Sequence, residues 1–157
     1  MARRRARGLG GFKTFSERGA WVEMLFMAAA CFHGYRVLKP WGDVFPYDLA
    51  IEVAGRLLRV QVKSTSNKKG AGYLCEFTHL SRGHNGRYSA KDVDIFVAYV
   101  IPEKAWYIVP AHLVTGRNGK PQITVCQFEG VRTKPKYEQY REAWDLLRKD
   151  RSELAQL

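Results

Sequence analysis

Residues 48–63, with the sequence DLAIEVAGRLLRVQVK, decide the fold because they predict one β-hairpin. Both halves are rich in β-forming residues, and Ala54-Gly55 between them is typical of a two-residue turn, where glycine tolerates a positive φ. With this turn, Asp48 lies opposite Gln61 on the paired strand. A slip of one residue would move the apolar side chains to the polar face, so the alternation itself favours this register.

The two faces of the predicted hairpin differ in chemistry. The apolar face predicts a contact with the core, and the polar face brings a carboxylate, an amide oxygen and an ammonium close together. The pattern also fits an exposed edge hairpin with scattered polar residues. The apolar face holds Leu49, Ile51, Val53, Leu58, Val60 and Val62, and the other face holds Asp48, Ala50, Gln61 and Lys63.

A helix is predicted before the hairpin, over residues 15–33. Thr14 and Glu17 fit a capping box at its start, and Gly34 is a stop signal at its end. Glu23 is the only charged residue between positions 19 and 32, so its carboxylate lies on a mostly apolar surface. Burying it unpaired would cost several kcal/mol, which predicts a metal ion or a lysine nearby. Alternatively, Glu23 lies at the rim of the buried face and pairs with a surface arginine.

The order of Glu23 on a helix, then Pro46-Tyr47-Asp48, a hairpin turn and Gln61-Val62-Lys63 resembles the PD-(D/E)-X-K nuclease superfamily. Within it, the chain is similar to small bacterial endonucleases that include intron-encoded homing enzymes. The resemblance implies an α/β (α+β) fold with a restriction-endonuclease-like mixed β-sheet core, flanked by helices, the first of which carries Glu23. It also implies a Mg²⁺-dependent DNA endonuclease of homing or restriction type.

The same resemblance implies a role for each site residue. Mg²⁺, with Mn²⁺ as a possible substitute, would be held by Asp48, the Gln61 side-chain oxygen and the Val62 backbone carbonyl, with Glu23 binding directly or through water. Lys63 would hydrogen-bond the attacking water or a phosphate oxygen; its alternative is a solvated lysine at a strand end. Because Gln61 stands where the family usually has a second acidic residue, one metal ion is favoured over two.

The composition independently points to nucleic acid. The formal charge is +11 and the sequence pI is about 9.8, which suits binding to a polyanion such as double-stranded DNA. Two basic stretches stand out, a predicted mobile arm over residues 1–13 and a patch over residues 64–91, although each also fits a solvated face. The candidate DNA-binding residues are Arg3, Arg4, Arg5, Arg7, Lys13, Lys68, Lys69, Arg82 and Arg87.

Length and composition predict a single domain over residues 14–157, and the resemblance implies that it is a PD-(D/E)-X-K nuclease domain. The sequence has no apolar run long enough for a membrane span, and its three cysteines suggest no disulfide framework, so we expect a cytoplasmic protein without membrane contact. One site per chain facing the two strands of a duplex predicts a homodimer or a homotetramer.

The rest of the chain is predicted to be mostly β. We expect an amphipathic helix over residues 136–154 that covers the sheet or contacts a second subunit. A polar loop is predicted over residues 78–91. Strands are predicted over residues 35–38, 73–78, 94–100, 104–109 and 123–128.

Two other functions remain open from the sequence. The protein would be a nuclease that targets DNA shape, such as a junction or a repair intermediate, or a nucleic-acid-binding module in which Gln61 marks lost activity. A zinc site is a competing interpretation of the cysteines and histidines, although their spacing matches no common structural zinc motif. Its candidate ligands are Cys75, His79 and His84, with Cys31 and His33.

Overall fold

The structure is a computed structural model that describes residues 11–81, 84–88, 90–114, 121–126 and 136–157. The helices are α1 (Phe15–Phe32) and α2 (Arg151–Leu154), with 3₁₀ turns at Ala111–Leu113, Glu138–Tyr140 and Trp144–Arg148. The strands are β1 (Arg36–Leu38), β2 (Leu49–Val53), β3 (Arg56–Thr65), β4 (Lys68–Lys69), β5 (Gly72–Glu76), β6 (Thr78–Ser81), β7 (His84–Arg87), β8 (Ile95–Val100), β9 (Ala105–Pro110) and β10 (Gln122–Val125).

Helix α1 begins at a side-chain cap, and the prediction for residues 15–33 is confirmed to within one residue. The Thr14 hydroxyl oxygen accepts the Glu17 backbone N–H at 3.0 Å. Glu17 does not close the box on Thr14 but accepts the backbone N–H of Lys13 at 2.7 Å. Gly34, at φ +83°, ends the helix in a conformation that favours glycine.

The hairpin has the predicted register. Strands β2 and β3 are antiparallel with Leu49 opposite Val60 and Val53 opposite Arg56. Ala54 and Gly55 in the turn have φ values of 48° and 75°. Positive φ at both central residues is the geometry of the tight turns whose twist matches that of the strands.

The main sheet is mixed, as predicted. Its strand order is β1-β2-β3-β8-β9, in which β3 and β8 run parallel and the other neighbours are antiparallel. A three-stranded sheet, β10-β5-β4, and a two-stranded pair, β6-β7, accompany it.

The main sheet separates two hydrophobic cores. One core joins the apolar face of the hairpin to α1 through Val22, Phe26 and Ala30. The second contains Phe96 and Tyr107 from the sheet together with side chains of β5 and β10. Strands β8 and β9 are therefore buried on both faces. The polar face of the hairpin is not reserved for site residues alone. Where β3 pairs with β8, this face continues into the second core.

The predicted amphipathic helix over residues 136–154 is wrong. Glu142 has a φ of 51°, its N–H donates to the Trp106 carbonyl at 2.8 Å, and its Oε1 accepts the Trp106 N–H at 2.7 Å. Arg141 forms a bridge with Tyr107. The segment thus satisfies backbone groups at the edge of β9, and only Arg151–Leu154 forms an α-helix.

Two shorter predictions also differ from the structure. The polar loop expected over residues 78–91 contains the β6-β7 pair, in which Thr78 lies opposite Arg87. Backbone pairing does not need apolar side chains, so alternation gave no signal there. The strand expected over residues 123–128 is β10, and residues 127 and 128 lie outside the described ones. No helix within the described ranges combines the length and hydropathy of a membrane crossing.

Candidate active site

The hairpin register brings the polar residues together at the start of β2. The Asp48 N–H donates to the Val60 carbonyl at 3.0 Å, which continues the pairing of the two strands. Asp48 Oδ2 accepts the Gln61 side-chain Nε2–H at 2.5 Å and the Val62 backbone N–H at 2.8 Å. The carboxylate of Asp48 is thereby fixed in orientation by β3.

Gln61 is a buried polar side chain that is only partly satisfied. It is 1% exposed, and its Oε1 has no hydrogen-bond partner among the described residues. Leaving a buried acceptor unpaired costs about 1–3 kcal/mol, so such groups call for an explanation. An amide oxygen is a suitable ligand for a hard cation.

Glu23 reaches the site from α1. Its Oε2 lies 2.5 Å from Lys39 Nζ, and the two side chains are 25% and 49% exposed. Glu23 therefore lies at the rim of the buried face with a lysine partner. One expected consequence of its position, a nearby lysine, is confirmed.

Asp48 is electrostatically strained by its surroundings. Burial, and then the negative charge of Glu23, raise the pKa of Asp48 from 3.8 to about 6. The Val62 N–H, the Lys63 charge and the Gln61 amide lower this pKa without cancelling the rise. The two carboxylates are close enough to repel each other, and a cation between them would relieve both effects.

Lys63 lies near Asp48, but its side chain lines a neighbouring cleft. Its Nζ lies 5.7 Å from the ring centroid of Tyr88, which allows a cation–π interaction. Tyr88 lines the Asp48 cleft, whereas Lys63 lines a second cleft of about 730 Å³. Tyr88 thus lies between the two clefts.

The Asp48 cleft has a volume of about 460 Å³ and is walled largely by the segment between β1 and β2. Lys39 at the start of this segment and Tyr88 after β7 are site residues that sequence reasoning missed. Neither carries a periodic signal, because each reaches the site only through the packing of distant segments.

The predicted DNA-binding residues are described unevenly. Lys68 and Lys69 are exposed on β4, and Lys68 Nζ lies 5.8 Å from the Tyr73 ring centroid. Lys13 is exposed next to α1. Arg3, Arg4, Arg5, Arg7 and Arg82, and the side chain of Arg87, lie outside the described part of the structure.

The zinc alternative gains nothing from the structure. In the described ranges, no group of three or more His, Cys, Asp or Glu side chains is arranged to hold a metal, and the side chains of His79 and His84 lie outside the described part of the structure. Burial raises the pKa of the Cys75 thiol to about 12, so the thiolate that zinc needs is disfavoured. His33 stacks on Trp144 with ring centroids 4.3 Å apart.

Comparisons with known proteins identify similar sequences and structures. The sequence profile of a family described as PD-(D/E)XK endonuclease matches residues 15–147. The structure of a bacterial homing endonuclease, I-Ssp6803I, is similar with a TM-score of 0.72 and 30% identity, over 86% of this chain and 93% of that chain. The crystal structure of MepB has a TM-score of 0.44 and 16% identity, over 79% of this chain and 93% of that chain. A search of curated proteins found no match.

Proposed function

Because this chain belongs to the PD-(D/E)XK endonuclease family, we propose that it is a Mg²⁺-dependent endonuclease that hydrolyses phosphodiester bonds in double-stranded DNA. The similarity to a bacterial homing endonuclease supports a homing or restriction type of activity. The predicted restriction-endonuclease-like fold is confirmed by the same similarity.

The observation that carries the proposal is the pair formed by Asp48 and Gln61. A buried carboxylate with a raised pKa lies against an amide whose oxygen has no hydrogen-bond partner among the described residues. These oxygens fit a hard divalent cation, for which Mn²⁺ is a possible substitute. In the structure the amide nitrogen donates to Asp48, so the oxygen would join Asp48 on a cation after a half-turn about the last side-chain bond. This turn exchanges the two atoms and leaves the nitrogen in the place of the unpaired oxygen.

Four residues supply the proposed ligands. Asp48, the Gln61 oxygen and the Val62 carbonyl would hold Mg²⁺, and Glu23 would bind it directly or through a water. The Val62 N–H keeps Asp48 in place for this role. Lys39 is paired with Glu23, so metal binding to Glu23 would compete with this ion pair.

The positive charges around the site would activate the attacking water and stabilise the phosphate. When bound, Mg²⁺ would acidify a water and offset the charge that grows on the phosphate. The Lys63 ammonium would donate hydrogen bonds to the attacking water or to a phosphate oxygen. Its contact with the Tyr88 ring restricts where that ammonium lies, which favours one orientation toward the substrate.

Substrate binding and assembly follow from charge and symmetry. The exposed Lys13, Lys68 and Lys69 would contact phosphates, together with the basic residues of the arm over residues 1–13, Arg82 and Arg87. A duplex has two strands and each chain carries one such site, which supports a homodimer or a homotetramer.

Plasmid cleavage tests the proposal. We expect wild type to nick and linearise supercoiled plasmid with Mg²⁺ and to be inactive with EDTA. Asp48→Asn should lose about 10²- to 10³-fold in rate, because it removes the charged ligand while keeping the shape. Lys63→Gln should also be strongly impaired.

Asp43→Asn is the matched control, since Asp43 is an exposed aspartate of the same cleft and is not one of the proposed ligands. Its cleavage rate should stay near that of wild type. Equal activity of wild type, Asp48→Asn and Lys63→Gln would refute the assigned site.

A second candidate function is a DNA-binding module without hydrolytic activity. It is favoured by the way the chain pairs its own site groups, Glu23 with Lys39 and Asp48 with the Gln61 amide nitrogen. For this function, wild type would bind DNA but cleave nothing with Mg²⁺ or Mn²⁺, and Asp48→Asn would bind equally well.

A further inference from the structure

The segment over residues 39–47, between β1 and β2, combines a wall of the candidate active site with an apolar surface exposed to solvent. It supplies most of the residues that line the cleft around Asp48. A phosphodiester positioned at Asp48 would therefore lie against this segment.

The tip of this segment exposes apolar side chains to solvent to an unusual degree. Trp41 is 95% exposed and Val44 86% exposed, and Phe45, which is about half-exposed, packs against Tyr47 with ring centroids 5.6 Å apart. Pro40 and Gly42 line the cleft but Trp41 does not, so its indole lies on the outer rim. A large apolar side chain held in water beside a functional cleft is typical of a binding surface.

Electrostatics and size decide which occupant fits this rim. The chain carries a formal charge of +11, so a polyanion is attracted to the protein as a whole, whereas in the cleft itself Lys39 is paired with Glu23. Three apolar side chains are far fewer than the roughly 20–30 residues a side that a stable protein interface uses. In a duplex the base faces are stacked on one another, so an exposed indole contacts them by wedging between base steps, as apolar side chains do in proteins that partly unstack DNA.

We propose that Trp41 is a nucleic-acid contact that packs against the bases beside the scissile phosphate, while the cleft behind it holds the phosphate itself. This inference rests on the proposed function, since it places the substrate at Asp48. It adds an apolar contact, which tolerates different base sequences, to DNA binding that is otherwise electrostatic. Residues that bind phosphate set the salt dependence of affinity, and a stacking residue does not.

Binding measurements separate the two kinds of contact. The probe is a fluorescein-labelled duplex of mixed sequence, with EDTA present, titrated with full-length protein at several salt concentrations. Trp41→Ala should weaken binding by about 5-fold or more and leave the slope against salt unchanged, because an aromatic contact with a base is worth about 1–3 kcal/mol before the cost of unstacking the duplex. Trp41→Phe should bind nearly as wild type does.

Two controls keep the result specific. Phe32→Ala removes another highly exposed aromatic side chain, 90% exposed at the end of α1 and away from the cleft, and should not change affinity. A Lys68→Ala and Lys69→Ala double variant should lower the salt slope, in contrast to Trp41→Ala. Thermal melts establish that each variant is folded.

Tryptophan fluorescence gives an independent readout. Trp106 and Trp144 are buried and Trp21 is partly buried, so DNA should quench mainly Trp41, and the quenching should be lost in Trp41→Phe.

Three outcomes overturn the inference. Wild-type affinity in Trp41→Ala removes the contact. A change in the oligomeric state of Trp41→Ala without DNA, at unchanged affinity per site, assigns the rim to a second copy of the chain. Failure of wild type to bind duplex removes this inference and the proposed function together. If wild type binds duplex but does not cleave plasmid, the proposed function alone fails, because the Trp41 measurements need no cleavage.

Discussion

Asp48 and Asp94 occupy matching places on the two sides of β3 but have opposite electrostatic surroundings. Each immediately precedes a neighbouring strand, β2 or β8. Each also accepts a backbone N–H of β3 at 2.8 Å, from Val62 for Asp48 and from Arg59 for Asp94. The backbone therefore treats the two carboxylates alike.

The side chains around the two carboxylates differ in charge. Asp94 is bound by Arg59 through Nε at 3.1 Å and Nη2 at 2.9 Å, and by Arg151 Nε at 3.0 Å. Burial would raise the pKa of Asp94, but the hydrogen bonds and charge of Arg59 and then the charge of Arg151 bring it below its usual value. Asp48 meets a neutral amide and a nearby glutamate, and its pKa is about 6.

The difference separates a carboxylate that the chain itself neutralises from one that we propose to bind a cation. At Asp94 the chain provides the positive charge itself, so the group stabilises the fold. At Asp48 the compensation is incomplete, which is the arrangement expected where a cation is to bind.

The largest expected effect on stability comes from removing Asp94. Asp94→Ala leaves Arg59 without its buried partner and should lower the free energy of unfolding by about 3–5 kcal/mol. Urea unfolding followed by circular dichroism measures this change. Asp43→Ala, an exposed substitution, should stay within about 0.5 kcal/mol of wild type. A small loss in Asp94→Ala would mean that the arginine pairs are not structurally important.

The pH dependence of stability should have opposite signs at the two aspartates. The raised pKa of Asp48 means that the folded state prefers the protonated form, so wild type loses stability relative to Asp48→Asn as the pH rises from about 4 through 6. The shift from 3.8 to about 6 corresponds to up to about 3 kcal/mol. The lowered pKa of Asp94 means that ionised Asp94 stabilises the folded state above pH 3.8, its ordinary pKa. This stabilisation is lost as the pH falls below 3.8 through the lowered pKa.

Urea unfolding of wild type, Asp48→Asn and Asp94→Asn, measured from below pH 3.8 to above pH 6, tests both signs. Asp48→Asn should become the more stable protein above pH 6. Parallel curves for wild type and Asp48→Asn would show that Asp48 is not electrostatically strained.

The smallest of the three effects is stabilisation by metal. Mg²⁺ or Mn²⁺ at 100 times its Kd should raise the stability of wild type by about 2.7 kcal/mol. It should not stabilise Asp48→Asn, and it should stabilise a folded Asp94→Asn as much as wild type. Gln61→Glu should be less stable than wild type without metal and gain more from it, because it adds a third carboxylate.

Thermal melts with and without cation measure these differences. Equal stabilisation of wild type and Asp48→Asn would place the cation elsewhere on the protein. Equal metal responses of wild type and Gln61→Glu would remove Gln61 from the ligand set.

Several elements could be predicted because their signals are local. The register of β2 against β3 follows from apolar alternation and a two-residue turn, and α1 follows from its cap and its apolar composition. Local signals gave the wrong prediction for residues 136–154, where a helix was expected. The backbone of this segment is drawn to the open edge of β9 through Glu142, a contact between distant parts of the chain.

The sequence by itself determined that Asp48, Gln61 and Lys63 share one end of a hairpin, because the pleat has a period of two and the turn fixes the register. Only the tertiary structure decided which buried aspartate is compensated. Arg59 and Arg151 converge on Asp94 from β3 and α2, while Glu23 approaches Asp48 from α1. The charge around a carboxylate depends on distances of a few Å between segments far apart in the sequence, and chain folding alone sets those distances.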